Sequence, residues 1–152
     1  MKPHALVILL AGLSCLSYVF GQEAQAPPAE SLKSLHERAE KGDTKAQVNL
    51  GNVYREGEGV AQDYAEALRW HRKAAEQGEA LAQYSVGVMY YRGQGVAQDY
   101  VRAHMWMNLA ASRFTGDEQK NYAGVRDEVA GKMTVAQIAE AQALARNWKP
   151  KK

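Results

Sequence analysis

Three sets of residues in this chain are of types that carry chemistry: the paired glycines Gly57-x-Gly59 and Gly93-x-Gly95, the histidines His36, His71 and His104, and the carboxylates Glu37, Glu40 and Asp43. A Gly-x-Gly turn can cradle a phosphate, but the dinucleotide fingerprint needs a third glycine three residues later and a strand before it. Gln62 and Gln98 stand at that place, and a helical pattern precedes each turn. A zinc helix needs His-Glu-x-x-His, and His36-Glu37 has no second histidine. His71 and His104 occupy different registers of their helices, face different ways, and form a poor metal pair without a third ligand. The three carboxylates lie near one helix end, whereas general acid and base work needs a cleft that raises one pKa; their expected role is solubility. Neither Ser-x-x-Lys nor Gly-x-Ser-x-Gly occurs. The sequence therefore assigns no catalytic residue, no metal site and no cofactor.

The elements around these residues explain them better. Gly-x-Gly-Val-Ala-Gln-Asp-Tyr occurs at 57–64 and again at 93–100, 36 residues apart, and laying 46–75 over 82–111 without a gap makes 15 of 30 positions identical. Such a period is the signature of stacked helix pairs. Ala46, Leu50, Val53 and Tyr54 recur at helical spacing from Thr44 to Glu56, as do Ala82, Val86, Met89 and Tyr90 one unit later. These are the first helices of two pairs. Gly51 and Gly87 lie inside them at a cost of roughly 1 kcal/mol relative to alanine, which close approach of a neighbouring helix would offset. The Gly-x-Gly turns then supply positive φ where the chain reverses.

Asp63 and Asp99 are placed to cap the second helices, and Glu66 gives Asp63 a capping-box-like partner that Arg102 replaces in the next unit. Tyr64, Ala67, Leu68, Trp70, Ala74 and Ala75 form one apolar face, echoed by Tyr100, Ala103, Trp106, Met107, Ala110 and Ala111. That stripe reads as inter-helix core. Ahead of the first unit, 35–43 aligns with the end of a unit at 71–79, which predicts a polar capping helix over 31–41. Beyond Ala111 the period is broken by two extra residues. A helix from Asp117 to about Ala130 follows, and Thr134-Val135-Ala136-Gln137 opens a last helix reaching Trp148.

The small residues, glycines and aromatics shared by the two units, Ala46/Ala82, Gly51/Gly87, Tyr54/Tyr90, the Gly-x-Gly-Val and Asp-Tyr runs, Trp70/Trp106 and the closing Ala-Ala pairs, resemble the Sel-1-like repeat family, relatives of the tetratricopeptide repeats. The resemblance implies an all-α fold: seven helices in a short right-handed α-solenoid of antiparallel pairs with N- and C-terminal capping helices. Expected divisions are 1–21 signal peptide, 22–30 linker, 31–45 N-terminal capping helix, 46–81 and 82–117 repeats, and 118–152 a C-terminal helix pair with a basic tail. The terminal helices would cover the exposed core of the end units.

Met1-Lys2 followed by the apolar run Ala5 to Phe20 reads as a secretory signal peptide, too short for a comfortable span, with cleavage expected after Gly21. A lipid-modified Cys15 is the rival reading, and Gly12 stands where its motif wants a large aliphatic residue. The chain is expected in the periplasm or secreted. Cys15 is the only cysteine, so a disulfide framework is excluded, unlike in cysteine-rich secreted members of the family. Loss of Lys2 leaves 18 basic against 17 acidic residues, a balance that points to neither nucleic acid nor an anionic membrane. The Lys149 to Lys152 tail reads as a frayed, solvated terminus.

Away from the core, the first helices carry Lys45, Asn49, Asn52 and Glu56 in one unit and Leu81, Ser85, Val88 and Arg92 in the next. These positions differ between units while the core repeats. On the concave side implied by the tetratricopeptide likeness, they are the expected binding face for a protein or peptide partner of an exported, non-catalytic interaction module, and the short array leaves oligomerisation open. The alternative is a small envelope enzyme or ligand-binding protein acting on cell-wall or β-lactam-like compounds, a role suggested by cysteine-rich relatives but lacking here both the cysteines and a serine-lysine pair.

Overall fold

The structure, a computed structural model, describes residues 30–151. The expected signal peptide, its cleavage site, the Cys15 motif, linker residues 22–29 and Lys152 lie outside the described residues. Among the described residues the chain forms seven α-helices: α1 Leu32–Glu40, α2 Thr44–Glu56, α3 Tyr64–Glu76, α4 Ala80–Arg92, α5 Tyr100–Ala111, α6 Gly116–Ala130 and α7 Val135–Asn147. It is an all-α helical repeat solenoid. Each helix packs on its successor from α1 to α6, and α7 returns to α5.

The repeated octapeptide works as a clasp between paired helices. Gly57 and Gly93 end α2 and α4 at φ 73° and 66°, the left-handed region. The Gln62 amide then donates back to the Arg55 carbonyl at 2.7 Å, and Gln98 does the same to Tyr91 at 2.7 Å. The backbone N–H of Asp63 reaches the Tyr54 carbonyl and that of Asp99 the Tyr90 carbonyl, at 2.8 and 3.0 Å. Their carboxylates point forward: Asp63 accepts from Ala65 and Glu66 N–H, Asp99 from Arg102 N–H. One turn thus closes the preceding helix and opens the next. The glutamines that broke the nucleotide fingerprint are its anchors. Glu66, expected to complete a capping box with Asp63, is held instead by Arg69 at 2.6 and 2.8 Å in a bidentate ion pair, because the Asp63 N–H that the box needs is already bound to the Tyr54 carbonyl.

A second clasp joins successive units. Buried Gln47 donates to the Ala39 carbonyl at 3.0 Å and buried Gln83 to the Ala75 carbonyl at 3.2 Å. These bonds add a second donor to carbonyls at the ends of α1 and α3 that also accept from the Gly42 and Gly78 N–H groups at 3.1 and 3.0 Å.

Helix approach is closest at the two interior glycines. A β-carbon on Gly51 would meet the His71 ring at 2.7 Å, and one on Gly87 would meet Met107 Cγ at 2.7 Å and the Ala103 carbonyl at 3.1 Å. His71 and Met107 occupy the same place in successive units. The buried alanines 46, 67, 74, 75, 82, 103, 110 and 111 surround these contacts, as the aligned units require. Trp70 is fully buried between α3 and the capping helix, with the His36 ring edge-on at 5.9 Å and the charges of Arg69 and Lys73 over its face. Gly95 is held tightly too, since any side chain there would collide with the backbone of Tyr64 and Ala65.

The capping helices do what their composition allows. Polar α1 buries only Leu35 and Ala39, which cluster with Ala46, Leu50 and Trp70. Val129 of α6 and Ala141 and Ala145 of α7 join the larger cluster around Trp106. The carboxylates read as solubilising have further work: Asp43 caps α2 and pairs with Arg38 at 2.6 Å, and Glu40 bridges to Lys73 on α3 at 3.2 Å. The Arg38 guanidinium, then the Ala46 amide, hold the Asp43 carboxyl below its usual range.

The basic tail differs from expectation. Trp148 packs edge-to-face on Trp106, and Lys151, although exposed, donates its backbone N–H to the Glu76 carbonyl at 2.7 Å and its ammonium to the Glu76 carboxylate at 2.9 Å. The tail is solvated but not frayed at Lys151, because α3 ends with an open carbonyl and a carboxylate within reach. Trp70→Ala should lower unfolding stability by roughly 3 to 5 kcal/mol, measured by urea denaturation. An unchanged midpoint would show that this indole does not hold α1 and α3 to the array.

Candidate interaction surface

The first helices form one layer of the array. The ends of α2 and α4 share a notch, and α6 continues the layer through Tyr122 on Tyr84 and through Glu128 and Lys132 on Tyr91. Helices α1, α3, α5 and α7 form the other layer, linked by Glu40 to Lys73, by Trp106 to Trp148 and by the tail to Glu76.

Of the eight residues expected to bind a partner, Glu56, Ser85, Val88 and Arg92 come together in the notch, a cavity of about 350 Å³ also lined by Arg55, Gln62, Tyr64, Met89 and Gln94. Lys45, Asn49, Asn52 and Leu81 are not part of its lining. Lys45, Asn49 and Leu81 are exposed, and Asn52 is half-buried. Val88 is half-buried and leans on the core cluster. Glu56 is occupied by Arg55 at 2.7 Å, and that hydrogen bond holds its carboxyl below the usual range. Arg92 has no ion pair among the described residues.

Sequence reasoning missed the aromatic part of this layer. Phe114 stacks on Tyr122 at 4.2 Å between ring centroids, and Tyr122 meets Tyr84 edge-on at 4.7 Å. All three rings are half-buried. Tyr84 stands where the first unit has Val48, so the repeat comparison, which looks for identities, passes over it. Burial raises the Tyr84 hydroxyl's pKa, with Tyr122 adding to the effect and Arg92 opposing it.

The two interior histidines belong to packing. His71 is fully buried and His104 nearly so. Neither ring nitrogen of His71 has a hydrogen-bond partner among the described residues. Among those residues, too, no three His, Cys, Asp or Glu side chains are grouped to hold a metal ion.

A model of the Sel1 repeat family matches residues 44–79 and 80–113, segments that begin with the first residues of α2 and α4. The chain is a Sel1-like repeat protein. Its helices superpose on c5321, a protective antigen present in uropathogenic Escherichia coli strains and displaying an SLR fold, with a TM-score of 0.70 and 36% identity over 76% of this chain. They also resemble a Sel1 repeat protein from Oxalobacter formigenes, with a TM-score of 0.52 and 30% identity over 68% of this chain. The Sel1-like chain spans 24% and 40% of the lengths of those two proteins. No curated protein matches its sequence. Sel1 repeat proteins are generally protein-interaction modules, and structural neighbours of this kind are typically non-catalytic scaffolds. No helix among the described residues is long and apolar enough to cross a membrane.

In this Sel1-like array His71 makes folding sensitive to acid. Burial, with a smaller contribution from the nearby Arg55 charge, lowers its pKa from 6.5 to about 4. The unfolded chain then binds the extra proton first, so this stability is intact above pH 6.5 and is lost as the pH falls toward 4. The loss is on the order of 3 kcal/mol by the end of that window. Burial lowers the His104 pKa as well, with the same sign. His71→Met, the residue the second unit uses at this place, should flatten the stability profile between pH 6.5 and 4, leaving the dependence due to His104 and, toward pH 4, that of the paired carboxylates Asp43, Glu56 and Glu66. Denaturant melts across that range check this, and an unaltered profile in the variant would contradict it.

Proposed function

We propose that this chain is an exported, non-catalytic adaptor that binds a protein or peptide partner on the concave face presented by α2 and α4, with the periplasm or the extracellular medium as its place of work. One observation carries the reading. Residues that differ between two otherwise repeating units, Glu56 from one and Ser85, Val88 and Arg92 from the other, converge on a single notch at the junction of the units. Variable residues that meet in one cavity, on a scaffold whose core positions repeat, give a stacked-repeat surface a place to carry partner specificity. The general interaction role of Sel1 repeats supports it, as does the short basic and apolar amino end.

The test is affinity capture of the tagged protein under cross-linking from the envelope fraction of its own organism, with Asn52→Ala/Arg92→Ala alongside. A partner recovered with the wild type and lost with the double variant, at unchanged helicity and melting temperature, is the expected result. Equal recovery by both would move the binding face elsewhere. Fractionation that finds the protein confined to the cytoplasm would overturn export.

A further inference from the structure

The α4 side of the layer joins two features that a partner must meet together. The first is apolar. Leu81 is one of few large hydrophobic side chains left exposed, at 47%, where the first unit carries Lys45. It lies one turn before Tyr84, whose ring continues into Tyr122 and Phe114 as a half-buried shelf. The second feature is a cation. Arg92 has no carboxylate partner among the described residues, a state it shares with Arg113 and Arg146, but of these three only Arg92 lines the notch, and the first unit places Glu56 at its position. The acids nearby are engaged: Glu56 by Arg55, and Glu128 by the Tyr91 hydroxyl at 3.3 Å. The hydroxyl of Ser85, also in the notch, makes no hydrogen bond among the described residues.

We propose that this surface binds an acidic peptide segment with one apolar anchor, its aromatic or branched aliphatic side chain lying on the Leu81, Tyr84, Phe114 and Tyr122 shelf and its side-chain carboxylate on Arg92. Spacing fixes the partner further. Tyr84 and Leu81 precede Arg92 by eight and eleven residues, roughly 12 to 16 Å along a helix that rises about 1.5 Å per residue. An extended chain covers that distance in four or five residues. The anchor and the carboxylate of the ligand are therefore separated by that number. An aromatic shelf contributes contact area at low entropic cost, and the arginine supplies direction and selectivity against basic segments.

The inference rests on the adaptor reading for its choice of a peptide, but its test is separate. A fluorescein-labelled peptide with Phe, a neutral Gly/Ser spacer of four residues and an Asp pair is titrated with the full chain by anisotropy, against the same peptide with Asn for Asp and with Lys for Asp. The Asp peptide should bind at least about tenfold more tightly than the Asn peptide, and less tightly as salt is raised. Arg92→Glu should reverse the order in favour of the Lys peptide, while Tyr122→Ala should weaken all three; circular dichroism confirms that each variant is folded. Equal binding of the Asp and Asn peptides, or an unchanged order in Arg92→Glu, overturns the proposal. If an envelope partner depends on Asn52 and Arg92 while the Asp peptide does not bind, this chemistry fails and the adaptor reading stands.

Discussion

Everything in this array depends on how closely the two helices of a pair approach at one glycine. Gly51 lies against the His71 ring and Gly87 against Met107 and the Ala103 carbonyl, at separations no β-carbon would fit without displacing its neighbour. Glycine inside a helix costs roughly 1 kcal/mol in propensity, and a short array without disulfides has little stability to spare. Two such residues in register therefore mark the place where contact between helices outweighs the preference of each helix alone. The surrounding alanines extend that proximity along the pair. Trp70 and Trp106 then fill the wider space toward the neighbouring elements.

The consequence is a repeating frame of shared contacts that carries variable surface positions. Octapeptide clasps fix how α2 meets α3 and α4 meets α5; the Gln47 and Gln83 bonds fix how each unit follows its predecessor. Second-layer helices are closed off by α1 at one end and by α7 and its tail at the other. On the outer side of α2 and α4 the two units differ in charge and shape at positions that take no part in a clasp. Between the units, that is where Glu56 becomes Arg92, Lys45 becomes Leu81 and Val48 becomes Tyr84. His71 fills the place of Met107 with a buried ring whose nitrogens have no partner among the described residues, and so ties folding to pH.

Much of the fold was legible because the repeat states each structural requirement twice. The helices, the interior glycines, the Asp63 and Asp99 caps and the Thr134 capping box follow from local rules of propensity and capping, and the second unit repeats those of the first. What escaped were relations between elements. Gln47 and Gln83 are identical across the units and were still given no role, since a buried amide reaching the carbonyl of a preceding helix has no local pattern. The Lys151 contact to Glu76 spans 75 residues of sequence and leaves no trace in either segment. Glu66 pairs with Arg69 and closes no capping box, since the Asp63 N–H that the box needs is already taken by the Tyr54 carbonyl of the preceding helix. For the candidate site, the outward positions of α2 and α4 could be named in advance, but not that four of them would share a notch. The ring shelf joins α4 to residues beyond the broken period, where the alignment no longer guides the eye.

The most direct test of the close-approach account is a double-mutant cycle on Gly51 and His71, read by urea denaturation at pH 7.5, where His71 is neutral in both the folded and the unfolded chain. Gly51→Ala should be destabilising in the wild-type background and nearly harmless, or stabilising through its helix propensity, in a His71→Ala background, with a coupling energy of about 1 to 3 kcal/mol. Additive effects would contradict the account, because they would mean that Gly51 is not there to admit the ring.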